Sequence, residues 1–292
     1  DRKAQRQNSI LRGVIYFLMF VIPMLIYALI YAHAAGVRLA PGGDVVGVVR
    51  VDGQIAAGSL ASADRIIPAL RDAFESRRVQ AVVLSIDSPG GSPVEAERIY
   101  RMIEAYKQSH PKPVVAVINN IGASAAFMIA LHCDTIVAGD YSLVGSIGAI
   151  MSGWDLHRAI DRLDVAQRVY ASGALKSMLD PFLPMSTEAD EKAKDLVMQM
   201  GRQFVADLNA TRGAKLKPDV DYGTGEVWGG SEALNLGLVD ERGTLDEYVQ
   251  RRWGYAIRDF GPRRGGFGFS ALVTDVVRQM VQGETVSGPG LR

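Results

Sequence analysis

A single cysteine, Cys133, occurs in a sequence of 292 residues. One thiol can form no internal disulfide and supports no cysteine-based metal site of the usual kind. It leaves the redox compartment open. Net charge is missing too, because 32 basic residues balance 32 acidic ones. A nucleic-acid binder needs a basic face, so this balance speaks against one. Histidine is scarce, with only His33, His110, His132 and His157, and no internal repeat is visible. What the chain does have is apolar residues, 48% of the total. That is enough for one large core, or one core plus a small appendage.

Charge is absent altogether from residues 13–32. At about 1.5 Å per helical residue, roughly 20 apolar residues cross a hydrocarbon layer of about 30 Å. Pro23 is tolerable in such a helix. Tyr16, Tyr27 and Tyr31 lie towards its ends, where aromatic side chains favour the interface. Arg2, Lys3, Arg6 and Arg12 precede the stretch, and only Arg38 follows closely. The expectation is one transmembrane helix over residues 13–35 in a lipid bilayer. The N-terminal segment 1–12 is then cytoplasmic and the rest lies outside the cytoplasm. Ala32-His33-Ala34 has the form of a signal-peptide cleavage site, but the apolar region exceeds the roughly 7–15 residues of a secretory signal.

After a linker at residues 36–44, apolar runs alternate with helical periodicity. Strands are expected at 45–51, 79–86, 114–118, 134–138 and 165–170. Helices are expected from Ser62 as cap to about Ser76, from Pro93 to about Gln108, from Ser124 onward and over 154–163. Further helices are expected at 187–209, at about 229–239 stopped by Gly237, and at 244–253. The second strand is apolar on both faces, as in a parallel sheet covered by helices. Such alternation implies an α/β architecture of βαβ units with a largely parallel sheet. In sheets of this kind, reactive loops lie at the C-terminal ends of the strands. Residues 256–292 read as a glycine-rich link, then an amphipathic helix over 271–282, then a tail. That helix could dock on a neighbouring subunit.

Two stretches sit at that reactive edge. Ile121-Gly-Ala-Ser-Ala-Ala-Phe127 joins a strand to a helix, with Ser124 flanked only by small residues. A serine at such an elbow has an exposed hydroxyl and a helix start beside it. Small residues that merely let a helix pack closely on a sheet would give the same pattern. Ser88-Pro-Gly-Gly91 is the second stretch. Its glycines allow close backbone approach, as an oxyanion hole requires, and an ordinary strand-to-helix turn would look alike. A nucleophilic serine needs a base. His132 lies two turns along the same helix and cannot reach back, and His110 and His33 are elsewhere. His157 has no orienting loop nearby. Lys176 follows a predicted strand among Leu175, Met178, Leu179 and Phe182. Burial there would disfavour its charged form and make it a usable base, whereas an exposed loop lysine would not be one.

Six motifs occur in order: Ile86-Asp-Ser-Pro-Gly-Gly91, Gly122-Ala-Ser-Ala-Ala-Phe-Met-Ile-Ala130, Cys133-Asp-Thr-Ile-Val-Ala138, Gly145-Ser-Ile-Gly148, Ser172-Gly-Ala-Leu-Lys176 and Leu236-Gly-Leu-Val-Asp240. Together they resemble the signal peptide peptidase A family, the S49 serine proteases, over roughly residues 45–250. The resemblance implies a ClpP/crotonase-like fold for residues 45–255. It implies a Ser-Lys dyad with Ser124 as nucleophile and Lys176 as general base, and Gly91 with Ala125 as oxyanion donors. No cofactor or metal is called for. It further implies a peptide substrate such as a remnant signal peptide, anchoring in the bacterial inner membrane, and a homo-oligomer whose active sites can be shared between subunits. The family's small-Ser-Gly-Gly is Ser124-Ala125-Ala126 here, and Ser177 stands where aspartate is frequent. Two other readings use the same features: a non-catalytic membrane scaffold retaining the fold, and a crotonase-type acyl-CoA enzyme.

Overall fold

The computed structural model describes residues 2–34 and 43–262. The chain divides into two units, one of residues 1–43 with 264–292 and one of residues 44–263. In the first, α1 (Arg2–Ala34) is one helix of 33 residues with Pro23 inside it. The large apolar side chains described along it, such as Phe20 and Met24, are exposed. Among the described residues no helix is long and apolar enough to cross a membrane. The expected helix over 271–282 lies outside the described residues.

The second unit is built on an eight-stranded sheet. Its elements are β1 (Val45–Asp52), α2 (Ala63–Glu75), β2 (Val79–Ser88), α3 (Pro93–Ser109), β3 (Val114–Ala123), α4 (Ala125–Leu131), β4 (Thr135–Ala138) and β5 (Leu143–Gly145). They continue with α5 (His157–Asp161), α6 (Thr187–Arg212), β6 (Val227–Gly229), α7 (Gly230–Asn235), β7 (Glu241–Arg242), α8 (Leu245–Arg252) and β8 (Ala256–Gly261). The order is β6-β5-β3-β2-β1-β8, with β4 and β7 branching off β3. Every pairing is parallel except β5 with β6. β3 makes the branch possible. Its first half pairs with β4 through Val115–Ile118, and its second half pairs with β5 through Ile121–Ala123.

Alternation along the strands feeds two cores. Val49, Val51, Leu84, Ile86, Ala116 and Ile118 face a large cluster with α2, α3 and α4. Val46, Val48, Val83, Val115 and Val117 face a smaller one closed by Tyr248 and Val249 of α8. Burial on both faces is what a parallel sheet requires, and it explains the largely apolar runs in β1 and β2.

Several boundaries differ from the sequence expectation. Ser62 does precede α2, but its side chain does not cap the helix. The buried Glu95 reaches across from α3 and accepts the Ala63 amide instead, at 2.8 Å. The helix expected over 154–163 is only α5, five residues long with none buried. The strand expected over 165–170 does not form. No residue from 148 to 188 is buried, so this arm has no sheet neighbour to complete a strand. β8 is a strand that the pattern did not disclose. It lies along β1, which places residues 256–261 in the sheet rather than in a link.

Candidate active site

Ser124 stands at the turn from β3 into α4, with φ 54° and ψ −126°. A non-glycine residue at positive φ is uncommon, and such strain persists only where the surroundings enforce it. Here the Ser124 amide donates to the Gly145 carbonyl at 2.8 Å, and the Ser124 carbonyl accepts from Met128 at 3.0 Å. The Ser124 side chain makes no capping hydrogen bond to the helix it introduces. Its hydroxyl is therefore not spent on holding the backbone. Ala125 supplies the first amide of α4, which by position has no intrahelical acceptor.

The Ser88-Pro-Gly-Gly turn lies directly against this elbow. A Cβ at Gly90 would stand 2.7 Å from Ser124 Cβ and 2.9 Å from the Ala125 nitrogen. Gly91 has φ +146°, and a Cβ there would lie 2.0 Å from the Ile55 carbonyl oxygen. The two glycines thus have different neighbours, one Ser124 and one the loop after β1. The Gly90 amide donates to the buried Ser88 hydroxyl at 3.1 Å. On the other flank, Gly145 packs under Trp228, whose ring atoms would meet a Cβ at 2.6 Å. Ser146 follows at φ 50°, with its amide donating to the Glu226 carbonyl. Sequence reasoning singled out Gly91 and missed Gly90 and Gly145 as supports of the serine. Their signal was in plain view as Gly-Gly and Gly-Ser-Ile-Gly, but only the fold shows which atoms they approach.

The described histidines are engaged elsewhere. His132 ends α4, pairs through Nδ1 with Glu104 at 2.7 Å and stacks on Tyr100 with ring centroids 3.8 Å apart. This is the packing role its position suggested. His157 pairs with Asp155, and His110 with Ser109. Cys133 is half-buried against the main core, and desolvation pushes its thiol above the ordinary value, which makes it a poor nucleophile. Among the described residues no cluster of metal-ligating side chains occurs.

Lys176 lies on the arm and is exposed, with only a turn hydrogen bond from its amide to the Gly173 carbonyl, at 3.1 Å. Its apolar neighbours Leu179 and Phe182 are 53% and 40% exposed, so one chain alone builds no apolar pocket around it. Among the described residues no hydrogen bond joins Lys176 to Ser124. The single chain therefore brings Ser124, Ala125, Gly90 and Gly91 together and leaves Lys176 exposed on the arm. A groove of about 660 Å³ between the arm and α6, lined by Ile150, Met151, Trp154, Leu179, Met185 and Met198 among others, includes neither Ser124 nor Lys176.

A parallel α/β sheet presenting a strained, glycine-backed serine at a strand-to-helix elbow defines the class: a protein built like a serine hydrolase. The chain belongs to peptidase family S49, a serine-peptidase family, whose family model matches residues 106–253, about half of the chain. A putative protease of Synechocystis sp. is 31% identical over 214 residues, covering 73% of this chain and 74% of that protein. A Brucella abortus protein named as a Na(+)/H(+) antiporter is 33% identical over 276 residues, 91% of this chain. The match covers 36% of the Brucella protein, so this chain spans little more than a third of that relative. A solved membrane-bound stomatin-specific protease variant aligns with a TM-score of 0.43 at 16% identity, over 76% of this chain and 100% of that one.

Proposed function

We propose that the chain is a membrane-anchored serine endopeptidase in which Ser124 and Lys176 form a catalytic dyad. The observation that carries the reading is Ser124 itself, held at positive φ by the Gly145 carbonyl with its side chain free of capping duty. Neutral Lys176 Nζ takes the proton from Ser124 Oγ as the oxygen attacks a peptide carbonyl. The resulting oxyanion is held by the amides of Gly91 and Ala125. The lysine returns the proton to the leaving amine as the acyl-enzyme forms. Water, deprotonated by the same lysine, then releases the acid and regenerates the serine. The fold in this reading is the ClpP/crotonase type.

An exposed lysine is a poor base, so the reading requires Lys176 to be covered. A second copy of the chain is the occupant that fits, in a homo-oligomer whose sites draw serine and lysine from adjacent subunits. Anchoring rests on the sequence, on the uncharged residues 13–32 and the basic residues before them. The peptidase unit then faces the outside of a bacterial inner membrane. Remnant signal peptides and similar extended apolar segments are the substrates suited to that position.

Exposure of Lys176 in the single chain also favours a rival, a scaffold that retains the fold without turnover. Labelling of the assembled protein with a fluorophosphonate separates the two. Modification at Ser124, and loss of peptide hydrolysis in Ser124→Ala and Lys176→Ala, are expected. An unlabelled serine, or full activity in Lys176→Ala, overturns the dyad. Turnover of an acyl-CoA thioester would point instead to crotonase-type chemistry.

A further inference from the structure

We infer that the loop leaving β1 aims the Gly91 amide, with Ile55 as its positioning residue. This rests on the proposed role of Gly91 as an oxyanion donor. Two adjacent glycines make a poor donor by themselves, because both flanking torsions are soft and the peptide plane between them can turn over. The loop removes that freedom. The Ile55 amide donates to the Gly90 carbonyl at 2.9 Å, and the Ser92 amide donates to the Ile55 carbonyl at 2.7 Å. Ile55 and Gly91 thereby form an isolated parallel bridge outside the main sheet. In a trans peptide the C=O and N–H point in opposite directions. With the Gly90 carbonyl held towards Ile55, the Gly91 N–H must face the opposite side.

The loop is itself fixed at both ends. The Gly53 amide donates to the Asp87 carbonyl at 2.9 Å, and the Ala56 amide donates to the Ser59 hydroxyl at 3.2 Å. The Ile55 side chain is fully buried in the main core. Only glycine at position 91 allows this contact, since a Cβ there would lie 2.0 Å from the Ile55 oxygen. Ile55 touches no substrate. It acts by denying the Gly90–Gly91 peptide its second orientation.

Two variants in the assembled full chain test this. Ile55→Pro removes the amide hydrogen, and Ile55→Ala keeps it while emptying the side-chain site. Ile55→Pro should lower kcat on a peptide substrate by about 10²-fold, the effect of losing one oxyanion donor, with KM little changed. Affinity for a peptide aldehyde should fall in parallel. Ile55→Ala should melt at lower temperature yet keep most of its kcat. A folded Ile55→Pro with wild-type kcat, or equal loss of kcat in both variants, overturns the inference. Should Ile55→Pro fail to fold, hydrogen exchange on the wild type decides. The Ile55 and Ser92 amides should be protected throughout, and the Gly91 amide should become protected only in the aldehyde adduct. A Gly91 amide protected in the free enzyme, or unaffected by the adduct, overturns it. A wild type that neither labels at Ser124 nor cleaves peptide sinks the functional reading and the inference with it. An active, labelled wild type beside an unaffected Ile55→Pro sinks the inference alone.

Discussion

A methyl carbon at Gly90 would stand 2.7 Å both from Ser124 Cβ and from the Ala123 carbonyl oxygen. Backbone at φ +98° is also strained for any residue bearing a Cβ. Gly90→Ala is therefore expected to displace Ser124 more than the core. Peptide hydrolysis should fall by about 10²-fold, as a misplacement near 1 Å can cause. Unfolding free energy should fall by only about 1–3 kcal/mol. Turnover and a denaturant melt on the same sample check both. Asp240, the end of the Leu-Gly-Leu-Val-Asp motif, is the opposite kind of residue. It accepts from Arg212 at 2.9 Å, from Lys215 at 2.7 Å and from the Ile136 amide at 2.8 Å. Burial pushes its carboxyl up, but these three donors outweigh burial and hold it below the ordinary value. A depressed folded-state pKa adds stability that is present above the unfolded value of about 3.9 and lost as pH falls through the lower folded one. Arg212 is 4% exposed, so Asp240→Asn leaves a buried charge unpaired. It should cost about 3–5 kcal/mol at neutral pH. It should also remove the part of the acid-induced loss that falls below about pH 4, as urea melts across that range would show. The motif braces α6 to β4.

At the scale of elements, α6 and the arm before it behave differently along their length. α6 spans 26 residues, and three of its four buried residues, Phe204, Leu208 and Arg212, lie in its last third. Its first half adjoins an arm in which Ile150 is 86% exposed, Trp154 81% and Tyr170 92%. An isolated chain rarely leaves contiguous apolar surface of this kind uncovered. Trp154→Asp combined with Tyr170→Asp should hardly move the unfolding midpoint, since neither side chain packs within the chain. The pair should shift the proposed homo-oligomer towards monomer in sedimentation velocity and abolish hydrolysis with it. An active monomer would show that the arm has another purpose.

For the whole molecule, the question is where the proposed Ser124–Lys176 dyad closes. Mixed assembly of Ser124→Ala with Lys176→Ala subunits answers it. Neither variant should cleave peptide alone. In a head-to-tail ring, random mixing restores about a quarter of the sites, because each site takes its serine from one subunit and its lysine from the next. Co-assembled mixtures with no activity would place both residues of a site in one chain. Mixing requires exchange, so subunits unfolded and refolded together, or co-expressed, are the samples to compare.

Local chemistry made much of this legible in the sequence. The apolar runs of β1 and β2, the Pro93 start of α3 and the Ser124 elbow all follow from residue type and spacing. Each needs only neighbours along the chain, and so did the alternation that announced a parallel sheet. Contacts between distant segments were not legible. Nothing near Ala256 tells that β8 returns beside β1, and nothing near Gly90 or Ile55 tells which atoms they approach. The helix and strand expected between 154 and 170 fail for a related reason. Their apolar pattern states that those residues want cover, and cover is a property of whatever packs against them. The sequence by itself determined most of the elements, the serine elbow and the family. Only tertiary structure decided what holds the serine at positive φ, which glycine serves it, and that a single chain leaves Lys176 in water. Those outcomes depend on long-range approach of backbone to backbone, which no local pattern encodes.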